Sequence, residues 1–106
     1  MKTMIRRWAL AAALLAAPAV ASTPAAEAAL ARDAARACRT ASGLDHAAAS
    51  SLVGFSDTSA MTVLLVTGTW RPRHMKGARA TMLCLYDRRA KTAETQEAIG
   101  WAVRPR

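Results

Sequence analysis

The stretch MTVLLVTGTWRPRHMKGARATMLCLYD, residues 61–87, contains the two strongest strand signals of the chain. Residues 61–70 are rich in β-branched and apolar side chains, and their middle is apolar on both faces, which predicts a central strand. Residues 79–87 alternate between two faces, and one of these faces carries Ala80, Met82, Cys84 and Tyr86. Pro72 and Gly77 lie between the two segments and predict a break. We therefore expect two antiparallel strands joined by a loop.

This loop is strongly basic and contains no acidic residue. Arginine and lysine supply charge and several hydrogen-bond donors, and histidine gains charge below about pH 6.5. An aromatic ring at the base of the loop could stack on a partner or insert into it. We therefore predict a partner-binding site formed by Trp70, Arg71, Arg73, His74, Lys76 and Arg79. The alternative is a solvated hairpin tip, which aids solubility and blocks association through sheet edges.

The residues that follow the second strand fit two structures. Residues 92–98 could form an edge strand or a short helix. We favour the strand, because it completes a hairpin with residues 79–87 and its polar side chains suit the edge of a sheet. Trp101 and Val103 are expected to fold back onto apolar surface before the polar C-terminal residues.

N-terminal to residues 61–70, the sequence predicts a helix over residues 24–41. Thr23 provides an N-cap hydroxyl ahead of a proline at the first helical position, and Gly43 is a suitable C-terminal stop. Between this helix and the central strand, residues 51–55 are a candidate strand, and residues 44–50 fit a helical turn or a link. The expected apolar face of the helix carries Leu30, Ala34, Ala37 and Ala41, and the opposite face carries Arg32, Arg36 and Arg39.

Two cysteines, Cys38 and Cys84, lie in the predicted helix and in the second predicted strand. An even cysteine count in an exported domain indicates a disulfide. The alternative is a metal site with His46 and His74, but the C-x-x-C and H-x-x-x-H spacings are missing. We expect the disulfide to matter, because a core of this size gives only marginal stability.

The N-terminus has the features of a secretory signal. Three basic residues precede an apolar run of 13 residues, Trp8–Val20, which is shorter than the roughly 20 residues that cross a bilayer. A small-x-small motif predicts cleavage between Ala21 and Ser22. Residues 1–21 are therefore predicted to be a signal peptide, and residues 22–106 a single periplasmic or secreted domain without a transmembrane segment. Removal of residues 1–21 lowers the net charge of the chain from +8 to +5, because this segment contains three basic residues and no acidic residue.

The sequence contains weak signals for catalysis. Asp45, His46, Ser50 and Ser51 include the residue types of a hydrolase triad, but no nucleophile motif surrounds the serines. Glu94 and Glu97 would point to opposite faces of a strand, so they would not form a carboxylate pair. No phosphate-binding, dinucleotide-binding or calcium-binding motif is present.

A further group of charged residues follows the second strand. Asp87 lies beside Arg88 and Arg89, where a salt bridge within a turn is expected. This arrangement offers no catalytic chemistry, and we predict neither a catalytic residue nor a cofactor for the chain.

These features predict an α+β fold, in which one N-terminal helix packs on a three- to four-stranded antiparallel meander and is joined to it by a disulfide. The favoured function is a small non-enzymatic binding module. Its expected partner is an envelope protein or an anionic envelope component, and nucleic acid is not expected in this compartment. The alternatives are an envelope enzyme or enzyme subunit with a site built from loops, and a structural or stress protein without a dedicated ligand.

Overall fold

The computed structural model describes residues 23–101. The predicted signal peptide, its cleavage site and Val103 lie outside these residues. One helix and five strands follow one another along the chain, and a short 3-10 turn separates the third strand from the fourth. The elements are α1 (Pro24–Ser42), β1 (Asp45–Ala49), β2 (Val53–Gly54), β3 (Met61–Thr69), the 3-10 turn (Arg73–Met75), β4 (Arg79–Asp87) and β5 (Thr92–Glu97). The prediction of one helix on an antiparallel sheet is confirmed.

The sheet has four strand positions in the order β1-β3-β4-β5, and β2 also pairs with β3. β1 pairs with the last part of β3 and β2 with its first part, so the two segments behave as one interrupted strand. The break begins at Ser50, whose backbone N–H donates to the Leu65 carbonyl at 2.8 Å and whose Oγ accepts from the Leu65 N–H at 2.9 Å. The preference for a strand at residues 92–98 is confirmed, with β5 ending at Glu97.

The main difference from the sequence prediction is at residues 44–50, most of which form β1 rather than a helical turn or a link. The segment Asp45–Ala49 contains no β-branched residue, so pairing with β3 outweighs its local preference. The register shifts between Asp45 and Ala48, and His46 has a positive φ of 52° within this bulge. The candidate strand at residues 51–55 is reduced to two residues.

The signals at both ends of the predicted helix are confirmed. Thr23 Oγ1 accepts a hydrogen bond from the Ala26 N–H at 3.1 Å, and Pro24 occupies the first helical position. At the other end Gly43 takes the left-handed conformation with φ 66°, and its N–H donates to the Thr40 carbonyl. Both contacts satisfy backbone groups that a helix leaves unpaired at its termini. The helix ends at Ser42, one residue later than predicted.

The core lies between α1 and one face of the sheet. Along β3 the even-numbered residues are buried and the odd-numbered residues are only partly covered, and β4 shows the same alternation. The disulfide between Cys38 and Cys84 joins the two layers, with the Cα atoms 5.9 Å apart. The predicted disulfide is present, and the Cys84 face of β4 is therefore the one that meets the helix. The buried apolar cluster consists of Ala34, Cys38, Leu44, Leu64, Val66, Ala80, Met82, Cys84 and Tyr86.

The turn between β4 and β5 differs from the expected salt bridge between Asp87 and its neighbours. Asp87 Oδ1 accepts the backbone N–H groups of Arg89 at 2.9 Å and Ala90 at 3.0 Å. The bond from Ala90 contributes most, and together these bonds lower the pKa of the Asp87 carboxyl. The Arg88 guanidinium lies 3.5 Å from Asp57 instead, in the turn that precedes β3. The local sequence suggests a pair of neighbours, whereas the fold brings Asp57 within reach from the turn between β2 and β3, at the same end of the sheet.

Candidate functional site

The predicted binding loop is the connection between β3 and β4, here called the basic hairpin (residues 70–79). Its base is closed by a hydrogen bond from the Trp70 N–H to the Ala78 carbonyl at 2.9 Å. Within it, Pro72 and Arg73 accept backbone bonds that close the 3-10 turn, each at 3.0 Å. Lys76 and Gly77 both have positive φ angles, so they reverse the chain toward β4. The loop backbone is therefore held by its own hydrogen bonds as well as by the nine residue pairs between β3 and β4.

The predicted contact residues occupy three different surroundings. Arg73, His74 and Lys76 are exposed at the tip, and none of them forms an ion pair among the described residues. Arg79 is exposed at the start of β4, opposite Thr69. The charges of Arg73, Lys76 and Arg79 are available to a partner, because no acidic side chain of the described residues neutralises them.

Arg71 is already engaged within the fold. Its Nε lies 2.9 Å from Asp45 Oδ1, in an exposed ion pair that links the base of the hairpin to β1. An exposed pair of this kind contributes about 0–1 kcal/mol to stability. The pair neutralises the charge of Arg71, one of the predicted contact residues. The basic residues of the hairpin without an ion pair among the described residues are then Arg73 and Lys76 at the tip and Arg79 at the start of β4.

Trp70 is half-buried and packs against the apolar cluster. Part of its indole is therefore used to attach the hairpin to the core. A contribution of Trp70 to partner contact stays a prediction, and its packing gives it a second role as the support of the loop.

The residues that resemble a hydrolase triad are used differently. Ser50 Oγ donates to the Ser51 carbonyl at 2.7 Å and accepts from Leu65, so both functions of the hydroxyl are occupied by backbone. Asp45 pairs with Arg71. His46 is exposed in the β1 bulge. The fold thus engages the serine hydroxyl and the carboxylate in structural bonds.

Two other sets of residues considered in the sequence are the cysteines with the histidines, as metal ligands, and the two glutamates of β5, as a carboxylate pair. Cys38 and Cys84 are bonded to each other, so neither thiolate can act as a metal ligand with His46 or His74. Among residues 23–101 no cluster of three or more metal-ligating side chains occurs. On β5, Glu94 pairs with Leu85 and Glu97 with Met82, which places the two carboxylates on opposite faces of the sheet.

The sequence did not identify one surface, the sheet face that points away from α1. We call this surface the open face. Its positions on β3 and β4 are the odd-numbered ones, and they contain Val63, Leu65, Leu83 and Leu85. The apolar second face of residues 61–70 predicts a central strand. β3 is central, but the only helix in residues 23–101 covers the other face of the sheet.

A cleft of about 550 Å³ lies on the opposite side of the molecule, between α1 and the β4–β5 turn. It is wide and open, and its lining residues are Asp33, Arg36, Ala37, Thr40, Ala41, Tyr86, Lys91 and Ala93. Arg36 Nη2 lies 3.8 Å from Asp33 Oδ1, in an exposed ion pair between positions three residues apart on the helix. An open cleft between exposed charges lacks the enclosure that small-molecule sites provide.

Among residues 23–101, no helix combines the length and the apolar content that a membrane crossing requires. The disulfide between Cys38 and Cys84 is compatible with an extracytoplasmic protein. No protein-family model, curated protein or solved structure matches the chain.

Proposed function

We propose that this chain is a small non-enzymatic periplasmic or secreted binding module that uses the basic hairpin to contact an anionic partner. The observation that carries the proposal is the exposed tip of the hairpin. Arg73, His74 and Lys76 lie at this tip, and none of them forms an ion pair with a described acidic residue. The loop that carries them is closed by backbone hydrogen bonds. A rigid cationic loop loses little conformational entropy on binding, which favours affinity.

The compartment narrows the class of partner. A protein with a signal peptide would meet lipopolysaccharide, anionic lipid, acidic glycan or an acidic protein surface, and it would rarely meet nucleic acid. Binding to a polyanion would weaken steeply with salt, because screening acts on exposed charges. Binding to an acidic protein surface would resist salt better, since such a contact also has a packed core.

The test compares the mature, oxidised protein with a variant that carries Arg73→Ala, Lys76→Ala and Arg79→Ala. Arg71 is left in place because it pairs with Asp45. The matched control carries Arg32→Ala, Arg36→Ala and Arg39→Ala on the exposed face of α1, and it has the same net charge as the hairpin variant. Binding is measured to vesicles that contain lipopolysaccharide and, separately, to envelope proteins after cross-linking.

We expect the hairpin variant to lose most of the binding and the helix variant to keep it. Equal loss in both variants would mean that net charge alone drives the association. Equal retention in both would assign binding to another surface and leave the hairpin as a solvated tip. A salt series from about 50 mM to about 500 mM then separates a polyanion from a protein partner.

A further inference from the structure

The open face is divided into an apolar part and a polar part. β2, β3 and β4 contribute the apolar part near the start of β3, where Val53 pairs with Val63 and Val63 with Leu85. Threonines occupy the part nearer the basic hairpin, at Thr67, Thr69 and Thr81. The apolar residues of this face and of its margins are Val53, Phe55, Met61, Val63, Leu65, Leu83, Leu85 and Trp101.

Much of this apolar surface is exposed to solvent. Val53 is 64% exposed, Phe55 56% and Leu85 38%. The chain returns onto the face after β5, and Trp101 helps to line a shallow groove of about 330 Å³ with Leu65 and Leu83, although 70% of Trp101 stays exposed. Contiguous exposed apolar surface of this kind marks an interaction site in small soluble proteins.

The dimensions of the face match those of a small protein–protein interface. β3 and β4 are nine residues long, and the sheet has four strand positions. At about 3.4 Å per residue and about 4.8 Å between strands, the face has a projected area of roughly 600 Å². Two such faces in contact would bury roughly 1,200 Å², the lower end of the range for specific interfaces.

The charges around the apolar part favour a neutral, flat occupant. On the open face itself the charged side chains beside the apolar part are acidic, since Glu94 lies opposite Leu85 and Asp87 opposite Met61, and they would repel an anion. The nearby Arg88 guanidinium is largely buried and is bonded to Thr62 and to backbone carbonyls. Arg79 occupies the far, polar end of the face, opposite Thr69, and the other basic residues of the hairpin lie beyond that end of β3 and β4. Antiparallel sheets bury apolar faces by packing on each other about 10 Å apart, and an equivalent sheet face supplies the required flatness and apolar character.

We propose that two copies of this chain pack through their open faces to form a dimer with two-fold symmetry. Such an interface uses the same patch on both subunits. The arrangement has four layers, with the two sheets inside and the two helices outside. The tips of both basic hairpins lie beyond the face, so the dimer does not depend on what the tips bind.

Sedimentation equilibrium of the mature, oxidised protein tests the dimer over about 1 µM to about 500 µM, a range that covers weak association. The main variant is Leu85→Lys, which puts a charge into the interface. In the monomer its ammonium can pair with the opposite Glu94, so the fold is expected to survive. The matched control is Ala31→Lys, which adds the same charge on the exposed face of α1. Val53→Lys is a second interface variant, for use if Leu85→Lys fails to give a native circular dichroism spectrum.

We expect the mass of the wild-type protein and of Ala31→Lys to double as concentration rises, while the folded interface variants stay monomeric throughout. A wild-type protein that stays monomeric at every concentration would overturn the proposal and leave the face to another occupant, such as the C-terminal residues or a different protein. Dimers of equal strength in wild type and in both interface variants would also overturn it, because the contact would then lie on another surface.

Discussion

Arg88 does more in the fold than its position in a polar turn suggests. Its side chain is only 17% exposed. Nη1 donates to the Met61 carbonyl at 2.7 Å and to Thr62 Oγ1 at 3.1 Å, and Nη2 donates to the carbonyls of Phe55 and Ser56 at 3.2 Å each. A planar guanidinium can serve several acceptors at once, which is the geometry needed to tie the segment before β3 to the β4–β5 turn.

We predict that Arg88→Ala lowers the free energy of unfolding by about 2–4 kcal/mol, because four acceptors lose a charged donor. Arg88→Lys should recover only a small part of this loss, since an ammonium lacks the fork that reaches both sides. Chemical denaturation measures the change. The control is Arg89→Ala, in which an exposed side chain loses a single bond to the Asp57 carbonyl. Equal effects of Arg88→Ala and Arg89→Ala would contradict the role assigned to Arg88.

Asp87 gives the fold a dependence on pH. Its pKa is lowered from 3.8, first by the Ala90 N–H and then by the Arg89 N–H, so the folded state binds this proton less tightly than the unfolded state. The stabilising contribution of the carboxylate is therefore fully present above the unfolded pKa and is lost as pH falls through the lower, folded pKa.

We predict that Asp87→Asn unfolds at a lower temperature than wild type at neutral pH, because asparagine keeps an acceptor but loses the charge. The difference should shrink below about pH 4 and disappear once Asp87 is protonated in the folded wild type. Melting temperatures of both proteins from about pH 2 to about pH 7 measure it. A difference that stays constant across this range would show that the charge plays no part.

Among the elements, the close pairing of β1 with β3 depends on a glycine of β3, Gly68. A Cβ at Gly68 of β3 would lie 2.6 Å from the Asp45 carbonyl oxygen and 2.8 Å from Leu44 Cβ. Real Cβ atoms do not approach backbone so closely, and the glycine therefore lets β1 cross directly against β3. In contrast, a Cβ at Gly54 of β2 would meet only the Arg88 guanidinium, at 3.9 Å.

We predict that Gly68→Ala costs about 1–3 kcal/mol of stability, since β1 must move away and disturb the buried Leu44. Gly54→Ala is the matched control, a glycine-to-alanine change in a neighbouring strand with room for the methyl group. It should be nearly neutral or slightly stabilising, because alanine restricts the unfolded chain. Urea unfolding of both variants measures the free energies of unfolding. A Gly68→Ala variant as stable as the wild type would show that β1 can move away from β3 without loss of stability.

The elements differ in how far the sequence predicts them. Residues 61–69 and 79–87 carry β-branched or alternating side chains, and α1 has a cap at each end, so local chemistry was sufficient. β1 was not predictable from DHAAA, because its strand conformation comes from pairing with β3. The basic hairpin was visible as charge, but the pairing of Arg71 with Asp45, across 26 positions of sequence, was not. The bonds of Arg88 and the open face also depend on contacts between distant segments.

The part of the chain that the structure describes consists of two layers with one covalent link between them. α1 covers one face of the sheet, and its buried residues are small, so the core contains few large side chains. The disulfide between Cys38 and Cys84 lies in the middle of this contact and is fully buried. Hydrophobic burial alone gives little margin in a domain of this size, and the link compensates by restricting the unfolded chain.

We predict that reduction of this disulfide lowers the free energy of unfolding by about 4 kcal/mol, from the entropy of a loop that spans 46 positions. Denaturant unfolding of the oxidised protein, with and without a reductant, measures the loss. The Cys38→Ala, Cys84→Ala double variant serves as the control, since it lacks the link under both conditions. If the double variant matched the oxidised protein in stability, packing of α1 on the sheet would be sufficient by itself. A protein that unfolds on reduction would need an oxidising compartment to function, which ties this stability directly to the predicted export.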